Sequence, residues 1–354
     1  MKQRERNGGI DFLRFCACGG IIWLHYRTYT CPWGIYFGDR LVNDETSGIE
    51  LKNLVELFFC ISGYLCSQKA DGIKAGTSFW NFMRPKLQRF IPMLVFGTLL
   101  CEALLVVIVN RGIILYETVS VPSLWAVLSS CFGVQEGWGF INTRINPESW
   151  FIDVLILCFA LFYFSVWLSQ KLGIDECTVF WGILLLGCAA VTAESSIPFI
   201  TYMDGRGYES FFMGVLLGNH THRNGLKKRD CCISAIILAG YLLFHVLWPH
   251  LLYFGRNNLM ALLVSPAAIV LMETDTAKRM FSWKGFKTLG KIAFSAYIIH
   301  VCVIYAVFLL ADLIGLEIGY DHECVAFVYM MIVFLIGALV YRYIEKPIVK
   351  RISG

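Results

Sequence analysis

Arg14 and His25 stand in a largely apolar stretch, residues 10–26 (IDFLRFCACGGIIWLHY). An imidazole can take a proton from a hydroxyl near neutral pH. A guanidinium offers a fixed fork of donors to a phosphate or carboxylate. Eleven residues separate the two, about three helical turns, so both side chains leave a helix on nearly the same face, roughly 16 Å apart along its axis. Ionisable groups on a membrane helix are costly, so the pair is expected to face a protein-lined cavity. The bland readings are a hydrogen-bonded packing histidine and an arginine snorkelling to the interface.

Other candidates follow along the chain. Glu56 opens ELFFCISGY and either orients His25 from a neighbouring helix or sits in solvent at the outer interface. Ser62-Gly63 suits close helix packing, and no G-x-S-x-G elbow supports Ser62 as a nucleophile. Arg84, Lys86 and Arg89, followed by Pro92, form a cation cluster able to hold phosphates. Trp150 and Asp153 open a later apolar run at its outer side, a common place for an interfacial Trp anchor. Tyr297 and His300 lie at i, i+3, hence on one helix face. Glu345-Lys346-Pro347 reads as a helix stop with a local ion pair.

These residues need a membrane scaffold. The chain has 354 residues, 57% of them hydrophobic, which points to one polytopic all-α membrane domain over residues 1–354. Apolar runs suggest ten helices near 10–29, 51–68, 90–109, 150–169, 178–196, 208–220, 231–249, 257–273, 289–311 and 324–343. The first lacks a small-residue cleavage site and reads as a retained helix. Residues 121–135 are apolar but short, and read as re-entrant or surface-lying. Residues 78–92 alternate aromatics with cations, an interfacial segment leading into the third helix.

With both termini placed in the cytoplasm, most of the 30 Lys and Arg collect on that side. They run from Lys2, Arg4 and Arg6 through Lys69, Lys74 and the Arg84 cluster to Arg342, Lys346, Lys350 and Arg351. The opposite loops are acidic, with Asp39, Asp44, Glu45 and Glu50, then Asp312, Glu317, Asp321 and Glu323. The basic residues flank apolar segments instead of forming a groove, which argues against nucleic acid. Most of the fourteen cysteines lie in apolar runs, and their spacing suggests neither a metal site nor a disulfide framework.

Taken in order, five segments resemble the acyltransferase-3 family of integral membrane O-acyltransferases. Arg14 and His25 match its Arg-x10-His element, and residues 58–64 (FFCISGY) its FFxxSG segment. Residues 84–92 resemble its basic stretch, with Lys86 in place of the first arginine. Residues 297–300 (YIIH) match its YxxH, and residues 343–347 (YIEKP) its closing element. The resemblance implies ten helices and transfer of an acyl group, usually acetyl from acetyl-CoA, to hydroxyls of extracytoplasmic or lipid-linked glycans, with the first-helix histidine essential. Larger members carry a glutamate where this chain has Leu155, and the chain is expected to be a stand-alone form, without the esterase-like domain of two-domain members.

The expectation is therefore a multi-pass O-acyltransferase of the cytoplasmic membrane, with acetyl-CoA as co-substrate and no resident cofactor or metal. Its acceptor is a surface glycan or lipid-linked sugar. His25 is the base or transient acyl carrier, supported by Arg14 and Glu56. Arg14, Arg84, Lys86 and Arg89 hold the CoA phosphates; Ser62, Trp150, Tyr297 and His300 meet substrate. The rival readings are a transporter of a glycan or lipid without bond chemistry, and a membrane sensor or scaffold, which leaves Arg14 and His25 unexplained.

Overall fold

A computed structural model describes residues 7–30, 51–113, 124–136, 138, 145–247 and 256–353. The first residues, with Lys2, Arg4 and Arg6, and the acidic loop with Asp39, Asp44, Glu45 and Glu50 lie outside the described residues. The fold is all-α. Its long elements are α1 (Gly8–Thr30), α2 (Leu54–Ser67), α4 (Phe79–Asn110), α6 (Trp150–Leu172), α7 (Glu176–Thr192), α8 (Tyr202–Asn224), α9 (Lys228–Leu247), α13 (Lys284–Ile314) and α14 (Glu323–Val340). Short helices α3 (Ala70–Lys74), α5 (Leu124–Phe132), α10 (Arg256–Leu259), α11 (Ser265–Met272), α12 (Asp275–Met280) and α15 (Lys346–Ser353) connect or extend them. Strands are confined, among the described residues, to a hairpin of β1 (Ser196–Ile197) and β2 (Ile200–Thr201).

Among the described residues, four helical stretches are long and apolar enough to cross a bilayer: Phe79–Asn110, Pro147–Leu172, Lys284–Ile314 and Glu323–Ile352. Their outward faces are apolar too. Leu99, Val106 and Val109 on α4, Leu310 on α13 and Leu335 and Leu339 on α14 are exposed, a surface that hydrocarbon must cover. Polar groups point the other way, and Glu56, Asp153, Glu209 and His300 are fully buried. This is a membrane protein with its polar chemistry inside.

Several boundaries differ from the apolar runs, for identifiable reasons. The segment 78–92 is not a separate interfacial piece: α4 begins at Phe79, where the Ser78 hydroxyl accepts from the Asn81 N–H at 3.3 Å. The helix near 208–220 is longer than its apolar run. Thr201 and Asp204 form a capping box that starts α8 at Tyr202, and its polar residues Asp204, Arg206 and Glu209 are buried inside the bundle. Pro347 does not stop the last helix. A π-helical turn, Tyr341–Glu345, takes up the register change, and α15 continues to Ser353. Within 121–135, α5 has nine residues, about 14 Å, less than half the hydrocarbon thickness; residues 121–123 lie outside the described residues.

Two helix pairs carry the centre. The first is α2 against α8, where Gly63 and Gly214 let the backbones touch. A Cβ on Gly63 would come within 1.9 Å of the Phe211 carbonyl oxygen, and one on Gly214 within 2.0 Å of that of Cys60. The second is α1 along α13, which brings the Arg14–His25 face against the Tyr297–His300 face. Basic and acidic ends follow. Lys74 and Arg223 both hold Glu176 at one end; at the other, Arg111 holds Asp312 at 2.6 Å and Arg27 pairs with Glu323.

Candidate active site

A cavity of about 390 Å³ lies between α1, α2, α4, α6 and α13. At one end its wall is cationic, with Arg14, Lys69, Lys86 and Arg89; at the other it is closed by Phe58, Phe151 and Tyr297. Lys69 is exposed and the Arg89 side chain is 42% exposed, whereas Phe151 and Tyr297 are buried, so the cationic end is the one that meets solvent.

Each cation is positioned by the fold. Asp11 lies 3.9 Å from the Arg14 guanidinium, one turn back on α1. Lys86 donates to the Phe82 carbonyl at 2.8 Å and lies 3.4 Å from that ring's centroid. Arg89 Nε donates to Glu345 at 3.2 Å, and Glu345 also accepts from the Ser295 hydroxyl at 2.5 Å. The carboxylate expected to make a local ion pair thus ties the last helix to α4 and α13. Arg84 is not part of this wall. It is exposed and turned away, because Lys86 and Arg89 share a helix face at i, i+3 while a residue two before Lys86 does not. Lys69 takes its place in the cation set.

Beyond the aromatic end sits a three-member cluster. His25 Nδ1 lies 2.8 Å from His300 Nε2, and His25 Nε2 lies 3.0 Å from Glu148 Oε2. His300 Nδ1 is 2.5 Å from the Tyr297 carbonyl oxygen. These contacts fix the protons. A carbonyl only accepts, so His300 Nδ1 carries hydrogen and, in neutral His300, Nε2 is the acceptor. His25 Nδ1–H therefore donates to it, and His25 Nε2 is left as the working nitrogen, facing the Glu148 carboxylate. The two imidazoles stack with centroids 4.9 Å apart. His300 is fully buried, while His25 and Glu148 keep 13% and 16% side-chain exposure, so the Nε2 side is reachable.

Glu148 comes from the turn Pro147–Ser149 ahead of α6, and that turn is well secured. Tyr297 donates its hydroxyl to the Glu148 carbonyl at 2.7 Å. Asn146 donates to the Ile298 carbonyl at 2.9 Å, and Gln135 to the Ser149 hydroxyl at 2.5 Å. Tyr329 holds the His300 carbonyl at 2.7 Å. The sequence offered one signal for Glu148: a carboxylate two residues before Trp150 at the edge of an apolar run.

The other expected partners go elsewhere. Glu56 does not reach His25. Both its oxygens are engaged by Arg206, at 2.6 and 3.1 Å, and Arg206 also donates to the Lys52 carbonyl at 3.0 Å. Trp150 is no interfacial anchor; it is buried with the Arg206 guanidinium 5.1 Å from its ring centroid. Asp153, likewise buried, accepts from the Glu136 N–H at 3.1 Å. Ser62 lines the cavity and donates to the Phe58 carbonyl at 2.8 Å. Arg14 and Tyr297 line the same cavity, but His25 and His300 lie behind its aromatic end.

The site can hold a polyanion at the cationic end and exchange a proton at the imidazole. Comparison with known proteins gives the family. An exopolysaccharide production protein, ExoZ of Rhizobium meliloti (strain 1021), is 22% identical over 301 residues, covering 84% of this chain and 89% of that protein. No solved structure matches. The family model described as an acyltransferase domain spans residues 7–344, from the residue before α1 into the closing π turn, so it takes in both the cation-lined cavity and the His25 cluster. Together with the five ordered segments, this makes the chain a member of the acyltransferase-3 family.

Proposed function

We propose that the protein transfers an acyl group, acetyl in the first instance, from an acyl-CoA to a hydroxyl of an exopolysaccharide, another surface glycan or its lipid-linked precursor. Arg14, Lys69, Lys86 and Arg89 take the CoA phosphates at the end we assign to the cytoplasm, and the thioester arm runs along the apolar wall toward Tyr297. The acceptor hydroxyl loses its proton to His25 Nε2 as its oxygen bonds to the thioester carbonyl carbon. The C–S bond breaks, and the proton passes from His25 to the departing CoA sulfur. His300 acts as a positioning residue, holding His25 in the tautomer that leaves Nε2 basic. The Glu148 carboxylate stabilises the imidazolium formed.

The observation that carries this reading is the locked hydrogen-bond chain from the Tyr297 carbonyl through His300 to His25. A purely structural histidine has no need of a defined basic nitrogen facing a carboxylate. The relative's printed name, and the membership of an acyltransferase family, favour a glycan acceptor and bond chemistry over transport.

The test is purified protein given acetyl-CoA labelled in the acyl group and candidate polysaccharides. Release of CoA thiol with label in the glycan is expected, and its loss in His25→Ala protein that remains monodisperse. Movement of glycan in proteoliposomes without thiol release would favour the transporter and sink the enzyme.

A further inference from the structure

The cavity and the His25 cluster are separate compartments. The described residues lining the cavity end at Phe58, Phe151 and Tyr297, and neither imidazole is among them. The three rings form a closed triangle: Phe58 to Phe151 at 5.8 Å, Phe151 to Tyr297 at 5.7 Å and Phe58 to Tyr297 at 6.2 Å between centroids. Rings at these separations are in contact and leave no passage for an alkyl chain. An acyl group delivered from the cationic end must pass them to reach His25 Nε2.

The corners of the triangle are held unequally. Tyr297 is buried, and its hydroxyl is tethered to the Glu148 carbonyl at 2.7 Å. Phe151 is buried, and a second ring, Phe59, packs on it at 4.6 Å. Phe58 is only half-buried, borders the cavity directly and has no polar tether. Among the three pairs, its contact with Tyr297 is the longest. A small displacement of Phe58 opens a gap sized for a short group, while Phe151 and Tyr297 keep their places.

We infer that the Phe58–Phe151–Tyr297 ring layer is the acyl-length filter of this protein, with Phe58 as its moving leaf. The filter rests on the acyl-CoA reading above and adds the substrate class: thioesters of short acyl groups, two or three carbons, with longer chains stalling on the cationic side. The layer also separates that side from the imidazole when no acyl group is in place, which keeps the acceptor away from the cationic end.

The experiment is displacement of labelled CoA from purified full-length protein by S-ethyl-CoA and S-hexyl-CoA, thioethers that need no acceptor and no turnover. In wild-type protein the hexyl compound is the weaker competitor. In Phe58→Ala the hexyl-to-ethyl affinity ratio rises by about tenfold or more, since each methylene newly buried is worth roughly fourfold. Phe151→Ala moves the ratio the same way, and Phe58→Leu, a milder change, moves it less. Binding of CoA itself is the internal reference for folded protein. CoA binding with a ratio within about twofold of wild type in both alanine variants overturns the filter and leaves the transferase reading standing. Failure of wild-type protein to bind CoA overturns the transferase reading and the filter with it.

Discussion

Two carboxylates in this molecule face cations or imidazoles in opposite styles. Glu56 meets Arg206 through two hydrogen bonds, neither side chain is more than 6% exposed, and Arg206 spends a further donor on the Lys52 carbonyl. Trp150 covers the guanidinium. That cluster leaves neither carboxylate oxygen free for a ligand. Glu148 lies 3.0 Å from His25 Nε2, and both keep some exposure. The first arrangement is saturated and ties α2 to α8. The second stays within reach of solvent. Inside a membrane protein, where a buried charge is expensive, a titratable pair within reach of solvent marks chemistry and a sealed pair marks architecture.

The widest break between the two regions comes from His25→Ala. Acyl transfer should fall by about 10²–10⁴-fold, the range for losing a general base, with melting temperature and gel-filtration profile preserved. Full activity in this variant removes His25 from the mechanism. The converse holds at the other pair. Glu56→Gln strands a buried guanidinium and should lower stability by about 3–5 kcal/mol, seen as a fall in thermal midpoint and loss of monodisperse protein. Glu56→Leu combined with Arg206→Leu should regain much of that stability, because an apolar pair of similar volume removes the stranded charge. A comparable rescue of activity has no counterpart at His25.

Glu148→Gln sharpens the comparison from inside the reactive cluster. The amide still bonds to Nε2 but cannot balance an imidazolium. Loss of one charge-assisted hydrogen bond corresponds to roughly 10–100-fold in kcat with little change in the KM for acetyl-CoA, whose proposed phosphate site is the cationic end of the cavity. A change in KM alone would mean that Glu148 positions the donor instead.

The sequence carried what depends on local period. The apolar runs gave the helices, the eleven-residue spacing put Arg14 and His25 on one face, and i, i+3 spacing joined Tyr297 to His300. What it hid depends on closure in three dimensions. Glu56 finds Arg206 at a separation of 150 residues, and nothing local to Glu56 reports that choice. Glu148 reaches His25 only because the turn before α6 is pinned to α13 by Asn146 and Tyr297. α8 was under-read because Asp204, Arg206 and Glu209 depress its hydropathy while being buried. Arg84 was separable in principle. Once α4 is known to start at Phe79, helical phase alone sets it apart from Lys86 and Arg89.

The smallest effect should come from Tyr297→Phe, and it divides two roles that the wild-type residue combines. The ring belongs to the aromatic layer, and phenylalanine keeps it. The hydroxyl holds the carbonyl of Glu148, and that single hydrogen bond is worth about 1 kcal/mol, or roughly fivefold. The turn carrying Glu148 also has the Asn146 tether to α13, so the carboxylate is loosened but not released. The expected outcome is a kcat lowered about fivefold, an unchanged hexyl-to-ethyl binding ratio, and an unchanged stability for the Glu56–Arg206 pair. A shift in the binding ratio instead would mean that the tether holds the filter shut, and that the ring layer and the proton-handling cluster move as one unit.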